Sequence, residues 1–258
     1  MGKYHPNPVR RVEIPKSNGK TRNLCIPTVV DRLIQQAISQ VLQPQFSPTS
    51  YGFHPHRSAH DGLLKCGEYI SAGYVFTVDM DLEKFFDTVS HSKLIEILSR
   101  TIKDGRVISL IHKYLNSGIL IGGKKESSPV GVFQGAPLSP LLSNIMLNEL
   151  DKELEKRGHL FVRYADDLVI FSKSRRSAQR TLDNLLPFIE TKLFLKVNKE
   201  KTHVAYMRDI KFLSYAFGRC TGEWQVIPPY KRLCRMSVCF ELVTLLLRCT
   251  TILCLKVN

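Results

Sequence analysis

The sequence predicts an α+β fold built on an antiparallel sheet, and three segments carry that expectation. Tyr74 to Asp81 (YVFTVDMD) alternates with period two and is rich in aromatic and β-branched side chains, so it reads as a strand with Thr77, Asp79 and Asp81 on one face. Leu142, Ile145, Met146, Leu150 and Leu154 keep helical spacing until Gly158, and Ser139-Pro140 ahead of them reads as an N-cap followed by proline at the first helical position. This is an amphipathic helix of about five turns. Phe161 to Ser172 (FVRYADDLVIFS) sets two apolar runs on either side of Ala165-Asp166-Asp167, which fits a hairpin with both acids at or beside its turn. A further helix around Ser177 to Glu190 completes a body in which helices cover an antiparallel sheet.

The composition narrows what such a body does. Its 258 residues allow one or two lobes and a sizeable core, and 43% hydrophobic content argues against disorder. Lys and Arg number 37 against 23 Asp and Glu, a formal charge of +14. That excess favours a polyanion, nucleic acid or an anionic membrane surface, over acidic metabolites or small neutral ligands. Met1 to Arg22 is polar and basic with no apolar h-region, so secretion is discarded and a cytoplasmic chain is expected. Of seven cysteines, five fall at or after position 220 and none forms a CxxC pair, which leaves free thiols as the default. The apolar stretch Met236 to Leu255 is interrupted by Glu241 and Arg248, so no membrane span is expected.

Charge is distributed unevenly along the chain. Met1 to Leu24 holds six basic residues and one acid, and Phe171 to Lys211 holds ten against four. These are candidate polyanion surfaces. Between them Asp79, Asp81, Glu83 and Asp87 surround the single Lys84. A small acidic pocket in a basic protein suggests metal ions held beside a nucleic acid.

Two adjacent ionised carboxylates at Asp166 and Asp167 repel unless a cation lies between them, and Mg²⁺ takes one or two carboxylates plus water and substrate phosphates. A lone Asp-Asp in a hairpin is more often a solvated turn. The Asp79/Asp81 strand changes the balance, because it supplies a third carboxylate for a two-metal phosphoryl-transfer site. The residues alone do not choose between Asp79 and Asp81.

FTVDMDLEKFFDTV, QGAPLSPLLSNIMLNEL and YADD, in that order and spacing, resemble reverse transcriptases. RRVEIPKSNGKTRNLCIPTVVDRLIQQAI and SYGFHPHRSAHDGL further resemble those encoded by group II introns, the reverse transcriptase/maturases. The resemblance runs from about Val9 to Phe217. It implies a right-hand polymerase with fingers and palm, the palm an antiparallel sheet flanked by helices: fingers over 1–74, the first catalytic strand of the palm over 75–91, a fingers/palm connection over 92–138, palm over 139–229 and an atypical tail over 230–258. The family's first metal-binding Asp lies five residues before an aromatic side chain, which Asp81 satisfies through Phe86 while Asp79 meets Lys84. The resemblance therefore implies metal binding and catalysis by Asp81, Asp166 and Asp167, with Asp79 in support. It implies that Phe86 is the steric gate against a ribose 2′-OH, that Lys16 and Arg22 grip the triphosphate, that Gln134 and Gly135 at a loop and helix start contact nucleotide and template, and that Lys201 protonates leaving pyrophosphate. The implied cofactor is a pair of Mg²⁺ ions, with Mn²⁺ as a substitute. The implied partners are an RNA template, intron RNA, a DNA primer and dNTPs, with the oligomeric state open.

The sequence departs from the family at Phe53-His54-Pro55-His56-Arg57-Ser58, where FRPxRS is usual, and at Phe212-Leu213-Ser214-Tyr215, where a glycine is usual. After about Trp224 the likeness ends, so the expectation is a chain truncated at both ends, its thumb largely absent and its tail frameshifted or truncated. An RNA-directed DNA polymerase is the leading reading. An RNA-binding, maturase-like fragment with little or no polymerase activity is the alternative, and a decayed remnant a third.

Overall fold

The computed structural model describes residues 4–15, 19, 21–43, 49–220 and 223–228. The expectations for Lys16 and for the tail over 230–258 lie outside the described residues. In chain order come β1 (Val9–Pro15), β2 (Thr21–Ile26), α1 (Val29–Leu42), α2 (Ala59–Ser71), β3 (Phe76–Met80), the short α3 (Phe85–Thr88), α4 (His91–Thr101), α5 (Gly105–Leu115), β4 (Ile119–Ile121) and β5 (Lys124–Glu126). These are followed by α6 (Ser139–Lys156), β6 (Leu160–Tyr164), β7 (Asp167–Ser172), α7 (Arg175–Lys192), β8 (His203–Tyr206), β9 (Lys211–Phe212), β10 (Tyr215–Cys220) and β11 (Glu223–Ile227). The helix starts follow local chemistry: Thr28, Ser58, Ser90, Asp104 and Ser174 cap α1, α2, α4, α5 and α7, and Ser58 forms a reciprocal capping box with Asp61.

The strands fall into three sheets. The central one has the order β6-β7-β3-β8 with every pairing antiparallel, as the sequence predicts. A second joins β2, β1, β4 and β5, with β1 parallel to β4, and a third joins β11, β10 and β9. Leu168 to Phe171 is a continuous apolar run because β7 is covered on both faces. Leu168 and Ile170, with Val78 and Met80 of β3, join the core formed by α4, α5, α6 and α7. Val169 and Phe171, with Val162 of β6, join Leu63, Cys66 and Ile70 of α2 and Phe212 and Phe217 of the third sheet.

The long predicted helix is present as α6, 18 residues or five turns, but its start is corrected. Leu138 occupies the cap, Ser139 is already helical, and the Ser139 hydroxyl donates to the Phe133 carbonyl at 2.6 Å instead of capping the first turn. The predicted helix over 177–190 begins two residues earlier, where Ser174 caps it, and ends two residues later, at Lys192. Among the described residues no helix is long and apolar enough to cross a membrane. Cys25 and Cys66 are free and buried.

Candidate active site

The β6–β7 hairpin closes through two residues, since Tyr164 pairs with Asp167 and leaves Ala165 and Asp166 as the turn. Ala165 takes the left-handed conformation such a tight turn demands, with φ 57°. Asp166 and Asp167 therefore emerge at the end of the hairpin, beside the end of β3. That end is fixed by the loop ahead of β8: the Asp81 amide donates to Thr202 Oγ1 at 3.1 Å, Asn198 N–H donates to the Asp81 carbonyl at 2.9 Å, and Glu83 N–H donates to the Lys196 carbonyl at 2.8 Å. The two acidic segments meet although long stretches of chain separate them.

The register sets them on adjacent strand ends, with Met80 opposite Leu168 and Tyr164 opposite Asp167. Asp167 keeps an exposed edge, yet crowding by protein raises its pKa to about 6, ahead of the charges of Asp166, Asp79 and Asp81, which push the same way. Lys201 opposes them. The Lys201 ammonium lies 3.3 Å from Asp81 Oδ2, so the lysine borders the acid cluster instead of dispersing among its solvated neighbours. Asp79 is also raised, first by burial, with the Asp81 charge adding to the effect and His203 opposing it.

Oxygen-only carboxylate donors fit Mg²⁺ in kind. Among the described residues no group of three His, Cys, Asp or Glu side chains is gathered tightly enough to hold a metal by itself. A site of this sort depends on water and substrate phosphates for its remaining ligands.

Of the residues expected to contact nucleotide, the structure brings Arg22, Gln134 and Gly135 together. Arg22 Nε donates to Gln134 Oε1 at 2.9 Å, and Cys25 N–H donates to the Gln134 carbonyl at 2.7 Å, so β2 is pinned to the loop ahead of α6. Gly135 lies against the same strand: at φ +99°, a Cβ there would meet Leu24 Cδ1 at 2.8 Å and the Cys25 carbonyl at 2.9 Å. Gln134 and Gly135 precede α6 by a turn, so they are a loop and not the helix start itself. Phe86, half-buried on α3, and Gln134 line one cavity of about 290 Å³ together with Arg11, Asn23, Cys25 and Asp87. Arg11 Nε is buried there without a hydrogen-bond partner. Arg22 itself is exposed and outside that lining.

The sequence reading missed the support beneath the acids. Arg163, the last residue but one of β6, is fully buried and paired with Asp151 of α6. Its signal was present: a cation within an apolar strand, and an acid between Leu150 and Leu154 on the apolar face of a helix, each needing a partner.

An antiparallel sheet bearing carboxylates on adjacent strand ends, backed by helices and bordered by a basic hairpin, defines a right-hand polymerase palm with fingers. The apo telomerase of Candida tropicalis shares this fold at a TM-score of 0.62 and 14% identity, covering 87% of this chain and 49% of that one. Residues 14–217 match the reverse transcriptase (RNA-dependent DNA polymerase) family, and the chain belongs to that family. Protein YkfC of Escherichia coli is 33% identical over 253 residues, covering 81% of this chain and 66% of that protein. The group II intron-encoded protein LtrA of Lactococcus lactis is 32% identical over 284 residues, covering 83% of this chain and 47% of that one. The chain thus spans less than two thirds of the length of these relatives.

Proposed function

We propose that the chain is an RNA-directed DNA polymerase of the group II intron type, extending a DNA primer on an RNA template from dNTPs. The observation that carries this reading is the meeting of Asp81 with Asp166 and Asp167 at adjacent strand ends, where Met80 pairs with Leu168 and Tyr164 pairs with Asp167. In this reading those three acids hold two Mg²⁺ ions, which when bound activate the primer hydroxyl and neutralise charge on the transferred phosphoryl group. Mn²⁺ serves as a substitute.

The chain's own groups do the rest. Phe86 presents an aromatic face where a 2′-OH would sit, Gln134 and Gly135 seat the base pair, and Lys16 and Arg22 hold the triphosphate. In this reading Lys201, whose ammonium lies beside Asp81, gives a proton to departing pyrophosphate. Residues 1–74 then act as fingers, 75–91 and 139–229 as palm, and 92–138 as their connection. The likeness to a group II intron-encoded protein extends the proposal to intron RNA as a partner and to roles in intron mobility and splicing.

Primer extension on an RNA template with dNTPs and Mg²⁺ tests the reading. Wild type extends and the Asp166→Asn/Asp167→Asn double variant does not; equal activity in the two would refute it.

A further inference from the structure

Arg163 and Asp151 are each 1% exposed, two charges taken wholly out of water. Arg163 Nε donates to Asp151 Oδ1 at 2.7 Å and Nη2 donates to Oδ2, a forked pair. Such a pair is weak support for stability, because desolvating both ions offsets most of their attraction and apolar replacements are often neutral or better. The remaining donor shows another use. Arg163 Nη1 donates to the Ala165 carbonyl at 2.9 Å and to Asn144 Oδ1 at 3.0 Å. Ala165 is the left-handed residue of the turn that carries Asp166, a conformation unfavourable for any residue but glycine. It persists only where its surroundings fix it.

The surroundings continue into the segment ahead of α2. Asn144 Nδ2 donates to the Gly52 carbonyl at 2.9 Å, Thr49 Oγ1 donates to Asp151 Oδ2 at 2.6 Å, and Tyr51 N–H donates to the Arg163 carbonyl at 2.8 Å. Gly52 lies so near the turn that a Cβ on it would stand 2.5 Å from Ala165 N and 3.0 Å from the Tyr164 carbonyl carbon. Three parts of the chain, from 49–52, α6 and β6, thus converge on one peptide unit.

We propose that Arg163, oriented by Asp151 and Asn144, and Gly52 are positioning residues that hold the Ala165–Asp166 turn, and through it the Asp166 and Asp167 carboxylates, in metal-binding geometry. This rests on the polymerase reading above for its consequence in catalysis, but not for its consequence in ion binding.

The test uses the full chain and two variants that act on the turn by different routes. Arg163→Met/Asp151→Leu removes both buried charges together, which avoids an orphaned ion, while Gly52→Ala leaves the ion pair whole and pushes on the turn backbone. Mn²⁺ affinity is followed by electron paramagnetic resonance, primer extension is resolved into kcat and KM for dNTP, and thermal melting reports folding. Both variants should melt cooperatively and lose about 10- to 100-fold in Mn²⁺ affinity, the usual effect of removing a group that orients metal ligands. The kcat should fall in step, with KM within about twofold, an outcome that a purely structural role does not give. Should the double variant not fold, Gly52→Ala alone decides. A folded variant that binds Mn²⁺ and turns over as wild type does overturns the proposal. Weakened Mn²⁺ binding in variants of a wild type that extends no primer would support positioning and sink the polymerase reading instead.

Discussion

Asp167 holds its proton more tightly in the fold than in an unfolded chain, with a pKa of about 6 against an ordinary 3.8. A carboxyl raised on folding contributes no destabilisation below pH 3.8, where both states are protonated. Stability is then lost as pH rises toward 6, because the folded state resists ionisation. In the absence of divalent cations, Asp167→Asn should raise the melting temperature at pH 7.5 and leave it unchanged near pH 3.5, as scanning calorimetry at the two pH values would reveal. A melting temperature unmoved at pH 7.5 would mean that neither burial nor the neighbouring acids disfavour the ionised Asp167. Lys201 invites the opposite contrast. Its side chain is 67% exposed and its pairing with Asp81 is open to solvent, so Lys201→Met should alter stability by less than about 1 kcal/mol in urea titration. Primer extension by the same variant should fall well beyond tenfold if the ammonium acts as an acid. The acids were legible in sequence because alternation and turn chemistry place them. Arg163 was not, because periodicity marks it only as an outlier and its partners at Asn144 and Asp151 are brought to it by tertiary packing.

At the level of elements, local chemistry foretold the most where it acts alone. Strand alternation located β3, spacing located α6 and the apolar runs located the β6–β7 hairpin. The cap of α6 was misread because Ser139 had a stronger nonlocal partner in the Phe133 carbonyl than its own first turn. The docking of β2 on the loop at Gln134–Gly135 had no local signal, since its parts lie far apart in the chain. It does rest on one glycine. Gly135→Ala places a methyl group against the Cys25 carbonyl and Leu24, at a φ of +99° that alanine rarely adopts. The hairpin should then separate from the loop, raising KM for dNTP several-fold while Mn²⁺ binding at the acids stays as in wild type; an unchanged KM would show that this contact does not shape the nucleotide site. α2 supplies an independent check on the sheet face it covers. Cys66 is fully buried, and desolvation pushes its thiol up to about 12. It should react with thiol reagents at pH 8 only at the rate of opening, and the protein should lose stability above pH 9, where only an unfolded thiol ionises.

For the whole molecule, fold class was legible because antiparallel strands and amphipathic helices announce themselves by period. The three-sheet arrangement was not, since the parallel pairing of Val9 and Arg10 with Ile119 and Leu120 depends on closure of a long intervening chain. Charge was legible from the start, and the fold shows where it goes. Lys173, Arg175, Arg176 and Arg180 are exposed at the start of α7, and Lys196, Lys199 and Lys201 are exposed in the loop bordering the acids. A chain of net +14 with exposed cations bordering its acidic cluster should bind a nucleic-acid duplex chiefly through phosphates, with the clustered acids contributing repulsion when no cation is bound. Affinity for a labelled RNA–DNA duplex, read by fluorescence anisotropy, should therefore fall by about 10³-fold or more between roughly 50 and 200 mM salt, the slope expected of six or more released counterions. Chelation of divalent ions should leave that slope in place. With divalent ions chelated, replacing Asp166 and Asp167 by Asn should tighten binding slightly, because it removes like charge facing the phosphates without touching a cation. A flat salt dependence would assign the basic surfaces to something other than the duplex, and unchanged or weaker binding by the Asn variant under chelation would mean that the acids do not face the phosphates.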